Sequence, residues 1–230
     1  MFEKEADGLK RLAKTKSFKI PAVLSYGNFS NYSYLILEWI AEKEKTKDFW
    51  INFADNLAKL HQHSAPTFGL SIDNYIGSLP QYNQSEIQNA AEFYIEKRLI
   101  PQFELATKNG FTFQNLSNFY QNLSNIIPNE KPALIHGDLW GGNYLSAQNN
   151  TPVLIDPAVA FAPREMDLAM MKLFGGFSEE VFTFYNEIFP IQKDWEDRLE
   201  IWQLYYLLVH LNIFGASYFN SVNTIVNKFS

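Results

Sequence analysis

Apolar side chains recur at helical spacing at the start of the chain. Phe2, Ala6, Leu9 and Leu12 or Ala13 share one side, which predicts a helix over Met1–Ala13. Two strand-like runs follow. Ile20–Tyr26 is opened by Pro21 and closed by Gly27; Tyr32–Ile40 is rich in aromatic and branched residues; Gly27–Asn31 between them reads as a hairpin turn. Charges cluster from Glu42 to Asp48, a solvated linker and the one candidate domain boundary. Beyond it helical periodicity takes over. Phe49, Phe53, Leu57 and Leu60 lie on one face, and similar spacing marks parts of Ser85–Thr107, Leu116–Ile127, Arg164–Phe174, Glu179–Ile188 and Asp194–Tyr218. Phe68–Asn83 reads as a turn-rich loop. Two short strands, Ala133–His136 and Val153–Asp156, flank a stretch rich in Gly and Asn. A small sheet in front of a helical mass is an α+β arrangement.

Composition narrows the functional classes. The chain has 230 residues, 47% of them hydrophobic, enough for a real core and too many for a disordered tail. The 19 Lys and Arg against 25 Asp and Glu leave a net charge of −6, which argues against nucleic acid or an anionic membrane surface as partner. Cysteine is absent, so there is no disulfide framework, thiolate nucleophile or Cys-based zinc site. The longest apolar stretch, near Leu204–Phe214, contains His210 and Asn212 and falls short of the ~20 residues a membrane span needs. Met1–Glu5 lacks the apolar core of a signal peptide, so a soluble cytoplasmic protein is the expectation.

The chemistry is concentrated in His136-Gly137-Asp138-Leu139-Trp140-Gly141-Gly142-Asn143 and in Val153-Leu154-Ile155-Asp156-Pro157. Asp138, Asn143 and Asp156 supply two carboxylates and an amide, all hard oxygen donors or acceptors. That set suits a hydroxyl-activating base beside Mg²⁺. Asp138 precedes Asn143 by five positions, the spacing of base and metal-binding Asn in a kinase catalytic loop. The arginine usual after the histidine of that loop is Gly137 here, a form seen in small-molecule phosphotransferases. A polar turn between two strands is the plain alternative.

Further runs carry a resemblance. Phe2-Glu3-Lys4-Glu5-Ala6-Asp7-Gly8-Leu9, Asp73-Asn74-Tyr75-Ile76-Gly77, Leu79-Pro80-Gln81, Arg98-Leu99-Ile100-Pro101-Gln102, the Trp140 form of the catalytic loop, Arg164-Glu165-Met166-Asp167 and His210-Leu211-Asn212 together resemble the fructosamine kinase (ketosamine-3-kinase) family. Its relatives are the aminoglycoside and choline kinases of the protein-kinase-like superfamily, from which the Trp140 loop and the Asp73–Gly77 run set this sequence apart. The resemblance spans nearly the whole chain. It implies ATP-dependent, magnesium-assisted phosphorylation of a sugar hydroxyl on a small-molecule or protein-bound ketosamine, after which the labile adduct decays: a deglycation repair.

By the same resemblance Asp138 is the general base, and Asn143 and Asp156 hold Mg²⁺ on the nucleotide. Glu38, Trp39 and Ile40 fall at the inter-lobe hinge that faces adenine, and Glu5 is the glutamate that pairs with a phosphate-binding lysine. The loop residues Asn74, Tyr75 and Gln81 shape the sugar pocket, and Trp140 stacks on the sugar or joins the core. The implied architecture is a protein-kinase-like fold. Residues 1–42 would be a partial N-lobe, one helix and a short antiparallel hairpin with the hinge; residues 43–230 would be a helical C-lobe with the catalytic loop and metal-binding strand.

One departure matters. Only four residues precede Glu5, and none of the 11 glycines forms a Gly-x-Gly-x-x-Gly loop. Lys4 is adjacent to Glu5, and Lys10, Lys14 and Lys16 follow it in the chain. A shortened N-lobe is therefore expected, from a late start codon or a broken gene, with activity reduced to a trace. Three readings stand: a ketosamine kinase, another small-molecule phosphotransferase acting on an aminoglycoside, choline or a sugar, and a noncatalytic remnant. Among the other polar residues, His61 and His63 point apart on a helix and do not suggest a metal site, and His136 reads as structural. Asp167 braces the catalytic loop or caps a helix; Arg164 reaches substrate or pairs with Glu165 or Asp167; Trp202, Tyr205, Tyr206 and Phe214 are packing residues.

Overall fold

In the computed structural model, which describes Met1–Ser230, the first amphipathic run folds as α1 (Phe2–Thr15). Glu3 and Glu5 lie in its first turn, where the helix dipole favours negative charge, and Lys16 ends it in the left-handed conformation at φ 55°. Ala6, Leu9 and Leu12 are buried, as their spacing predicts. Gly8 shares their side. A Cβ there would come within 2.6 Å of Val159 Cγ2, so the missing side chain lets α1 sit directly on the segment after Asp156.

The next two elements, β1 (Val23–Phe29) and β2 (Tyr32–Leu37), form a two-stranded antiparallel sheet with Gly27 opposite Tyr34. This corrects the predicted ends. Gly27 lies inside the ladder, the turn is Ser30–Asn31 with Ser30 at φ 54°, and β2 stops at Leu37 rather than Ile40. The reason is exposure. Leu24, Phe29, Tyr32 and Ile36 are each at least 50% exposed, so no buried face imposes the alternation that marks strand ends.

An exposed stretch leads into α2 (Phe49–His61), which buries Phe49, Phe53, Leu57 and Leu60. The region expected to be a loop over Phe68–Asn83 contains a small hairpin, β3 (Asn74–Ile76) with β4 (Leu79–Gln81). Helix begins only at α3 (Ala90–Tyr94), which passes through a π turn at Ile95–Leu99 into α4 (Ile100–Lys108). Pro101, without an N–H to give, sits at that junction. α5 (Leu116–Ile126) follows.

Four three-residue strands then build the floor of the site: β5 (Ala133–Ile135), β6 (Tyr144–Ser146), β7 (Pro152–Leu154) and β8 (Ala160–Ala162). The two expected strands, β5 and β7, do not pair with each other: β5 pairs with β8 and β7 with β6, all antiparallel. Apolar patterning does not predict β6 and β8, because strands this short and largely buried carry no period. β5 is buried on both faces. Leu134 joins an apolar cluster with α1, α2 and α7 (Glu179–Ile188), while Ala133 and Ile135 join a second one built on α3–α5 and the C-terminal helices.

α6 (Glu165–Phe174) starts just after β8. The predicted Asp194–Tyr218 helix is broken up: a 3₁₀ turn at Trp195–Arg198, α8 (Leu199–Phe214) ended at Gly215, and a 3₁₀ turn at Ala216–Tyr218. A further helix, α9 (Phe219–Phe229), lies beyond the predicted segment. No helix is long and apolar enough to cross a membrane.

Candidate active site

The His136–Asn143 loop hangs from a single buried carboxylate. Asp167, fully buried on α6, accepts the His136 N–H at Oδ2 and the Gly137 N–H at Oδ1, each at 2.8 Å. The His136 ring is tied down as well: Nε2 lies 2.9 Å from the Ile155 carbonyl, and Nδ1 lies 3.3 Å from the Asp138 N–H. The proton therefore sits on Nε2, and burial pushes the imidazole pKa below its ordinary value, which keeps the ring neutral. Gly137 adopts φ 84°, and a Cβ on it would lie 2.1 Å from the Ala158 carbonyl oxygen. There is no room for a side chain, which explains glycine where kinase loops carry arginine.

The same loop presents Asp138 and turns Asn143 back toward it. Asn143 Nδ2 donates to the Asp138 carbonyl at 2.8 Å and to Asp138 Oδ2 at 3.1 Å, leaving the amide oxygen for another partner. The Ile155 N–H bonds the Asn143 carbonyl at 3.1 Å, which ties the loop to the segment bearing Asp156. Asp156 is exposed and left-handed at φ 52°, a conformation that costs a non-glycine residue about 1 kcal/mol or more and recurs at functional sites.

Asp138, Asp156 and Glu5 line one cavity of about 480 Å³, together with Lys4, Leu37 and Tyr75. Crowding shows in their acidity. Burial, and then the Asp156 charge, push the Asp138 carboxyl up to about 7. Glu5 is also raised to about 7 by burial and by Asp156, opposed only by the Met1 amino group. The oxygen donors of Asn143 and Asp156 fit magnesium, which takes one or two protein ligands and fills its sphere with phosphate oxygens and water. No group of three His, Asp or Glu side chains is placed to hold a metal ion by itself.

A second cavity, of about 470 Å³, is mostly aromatic and aliphatic and includes Trp140, which is 42% exposed. Asp138 and Gly77 are the two residues that line both cavities.

The remaining predicted residues divide. Tyr75 and Asn74 both line the carboxylate cavity, whereas Gln81 does not. The amides of Asn74 and Gln81 are buried and hydrogen-bonded within the fold, Asn74 Nδ2 donating to the Val159 carbonyl at 2.9 Å and Gln81 Nε2 to the Ala158 carbonyl at 3.0 Å. Glu38 accepts the Ala22 N–H at 3.1 Å and pairs with Lys19, Trp39 is 90% exposed, and Ile40 is half-buried. None of these three lines the cavity, whereas Leu37 just before them does.

The fructosamine kinase family model matches residues 1–230, the whole chain. The chain belongs to the fructosamine kinase family. It is 41% identical to a protein of Enterococcus faecium named a probable ketoamine kinase, over 99% of this chain and 82% of that protein. It is 33% identical to the Arabidopsis thaliana chloroplastic protein-ribulosamine 3-kinase, over 100% of this chain and 72% of that one. A crystal structure from Haemophilus somnus, assigned as a fructosamine-3-kinase, superposes with a TM-score of 0.91 at 31% identity, covering 100% of this chain and 79% of that one. A thermostable mutant of the aminoglycoside phosphotransferase APH(4)-Ia, solved with AMP-PNP and hygromycin B, shares the fold alone: TM-score 0.62 at 17% identity, over 98% of this chain and 82% of that one.

Behind this fructosamine kinase loop lies a buried relay that the sequence does not announce. His61 Nε2 is 3.2 Å from Asp167 Oδ2, and its Nδ1 is 2.8 Å from the Tyr185 hydroxyl. Arg164 pairs with Glu130 at 2.8 Å, not with Glu165 or Asp167 as expected. His61 and Asp167 are 106 residues apart, so no local spacing could have joined them.

The raised Glu5 pKa has a measurable consequence. Its ordinary value is 4.5 and its folded value about 7, so between those limits the folded chain keeps a proton that the unfolded chain has released. Stability from this group is full at low pH and is lost as pH rises through 7. Glu5→Gln, which cannot ionise, is expected to melt above the parent protein at pH 8 in EDTA, with the gap closing toward pH 5. An equal gap at both pH values in calorimetric melts would contradict the assignment.

Proposed function

We propose that this chain transfers a phosphoryl group from ATP to a sugar hydroxyl of a ketosamine. The position of Asp138 carries the reading: it stands between a carboxylate-lined cavity and an aromatic one. In-line transfer needs the phosphoryl donor and the attacking hydroxyl on opposite sides of the reacting centre. The nucleotide phosphates belong on the side of Asp156 and Glu5, with Asn143 and Asp156 holding magnesium through oxygen. Bound magnesium neutralises charge on the phosphate oxygens. On the other side Asp138 takes the proton of the sugar hydroxyl, and a carboxyl at about 7 suits a base working near neutral pH. Trp140 offers the sugar a flat apolar face.

In this reading residues 1–42 cover the nucleotide as a partial N-lobe, residues 43–230 carry the transfer machinery, and Glu38, Trp39 and Ile40 approach adenine. Phosphorylation renders the ketosamine labile, so the reaction removes sugars from glycated amines. The lining of the aromatic cavity speaks against an aminoglycoside acceptor. A polycation needs several carboxylates, and Asp138 is the only acidic residue there.

The test is incubation with Mg-ATP and fructosyl-lysine or ribulosyl-lysine. ADP and a sugar phosphate are expected in equal amounts, with none formed from kanamycin or choline. Phosphorylation of kanamycin or choline but of neither sugar adduct would reject the reading.

A further inference from the structure

Helical spacing assigns Phe214 to the core, yet it is 65% exposed and lines the aromatic cavity with Trp140. Around it rings touch one another. His210 lies 4.7 Å from the Phe174 ring, 5.4 Å from Phe214 and 5.1 Å from Tyr218 between centroids. Ile76, Met170, Val209 and Ile213 complete the apolar lining. The titratable groups in it besides the tyrosines are Asp138 and His210, and His210 Nδ1 is engaged with the Tyr206 carbonyl at 2.8 Å. The volume, about 470 Å³, lies within the range of small-molecule pockets.

We propose that the Phe174, His210, Phe214 and Tyr218 rings receive the substituent on the amine nitrogen of the ketosamine and select apolar over charged substituents. This rests on the ketosamine reading above. The sugar hydroxyl must reach Asp138, which is at the edge shared with the nucleotide side, so the nitrogen and whatever it carries extend into the rest of the cavity. A carboxylate or ammonium placed among these rings gives up part of its water. The pairing groups in the lining are few: Asp138, which faces the sugar hydroxyl, and His210, whose Nδ1 is already engaged with the Tyr206 carbonyl. A charged group is therefore disfavoured there. An alkyl or aryl group there gains by burial instead, and each well-buried group is worth about 10–200-fold in discrimination.

The test compares two fructosamines, one made from phenethylamine and one from β-alanine. The parent protein is expected to favour the phenethylamine adduct about 10-fold or more in kcat/KM, chiefly through KM. Phe214→Ala and Phe174→Ala are expected to narrow that ratio to about 3-fold. Both rings are more than a third exposed, so folding should survive, and thermal melts of the variants check this. Equal kcat/KM for the two adducts, or a ratio unchanged in both variants, overturns the inference while leaving ketosamine phosphorylation intact. Calorimetric binding is read in parallel. Selective binding of the phenethylamine adduct without phosphorylation of either adduct would sustain the cavity assignment and reject the kinase reading instead.

Discussion

Asp138→Asn is expected to lower phosphoryl transfer about 10²–10⁴-fold, the usual worth of a positioned general base. The asparagine is nearly isosteric and still meets the Asn143 amide, so the loop suspended from Asp167 keeps its shape. What disappears, on the proposed reading, is the proton acceptor. The loss should fall on kcat, with KM for ATP little changed, since the removed interaction is made to a hydroxyl in the transition state. Folding provides the control. Asp138 is held up to about 7 by burial and by Asp156, so its charge destabilises the unliganded protein above that pH, and the variant should melt at least as high as the parent at pH 8. Single-turnover transfer of a radiolabelled phosphoryl group measures both rates. A fall of less than about tenfold would assign the base elsewhere.

The largest effect on stability is expected from Glu165→Ala. Glu165 is 2% exposed and pairs with Arg198, itself 8% exposed. Its carboxylate takes the Arg198 Nε–H at 2.9 Å, the Nη2–H at 2.5 Å and the Trp202 Nε1–H at 2.7 Å. Truncation leaves a buried guanidinium without its counter-ion and an indole N–H without an acceptor. Breaking such a pair from one side costs about 3–5 kcal/mol. For a chain of this length that corresponds to a drop in Tm of about 6–20 °C. Denaturant melts should show a lower midpoint with an unchanged slope. Because Glu165 opens the helix that carries Asp167, activity should fail at a lower temperature than in the parent. A loss below about 1 kcal/mol would mean that the pair is solvated.

Long amphipathic segments are legible in the residue pattern alone. α1, α2, α5 and α7 begin and end within two residues of the positions that apolar spacing predicts, because each buries one face. The hairpin is legible in kind but not in register, since both its faces are wet. The three-residue strands are the least legible. β3, β4, β6 and β8 are too short for a repeat to appear, and they form because the surrounding chain holds them in place. Pairing of β5 with β8 and of β7 with β6 likewise depends on what lies across the fold.

For the site, five-residue spacing and residue type mark Asp138 and Asn143, and the end of a strand marks Asp156. These are local signals, carried by short pieces of backbone whose turn chemistry determines which side chains are presented. Everything that gives those groups their setting is non-local. Asp167 reaches back 31 residues to the His136 amide, His61 reaches forward 106 to Asp167, and Phe214 joins Trp140 from a helix 74 positions later. Periodicity places Phe214 in the core because α8 is apolar nearly all round. Only packing reveals which stripe of that helix stays open. The order of residue types thus determined the candidate reactive groups and the main helices, where the deciding contacts lie within a few residues. Burial, pairing and the two cavities meeting at Asp138 were decided by tertiary structure, since they depend on surfaces brought together from distant parts of the chain.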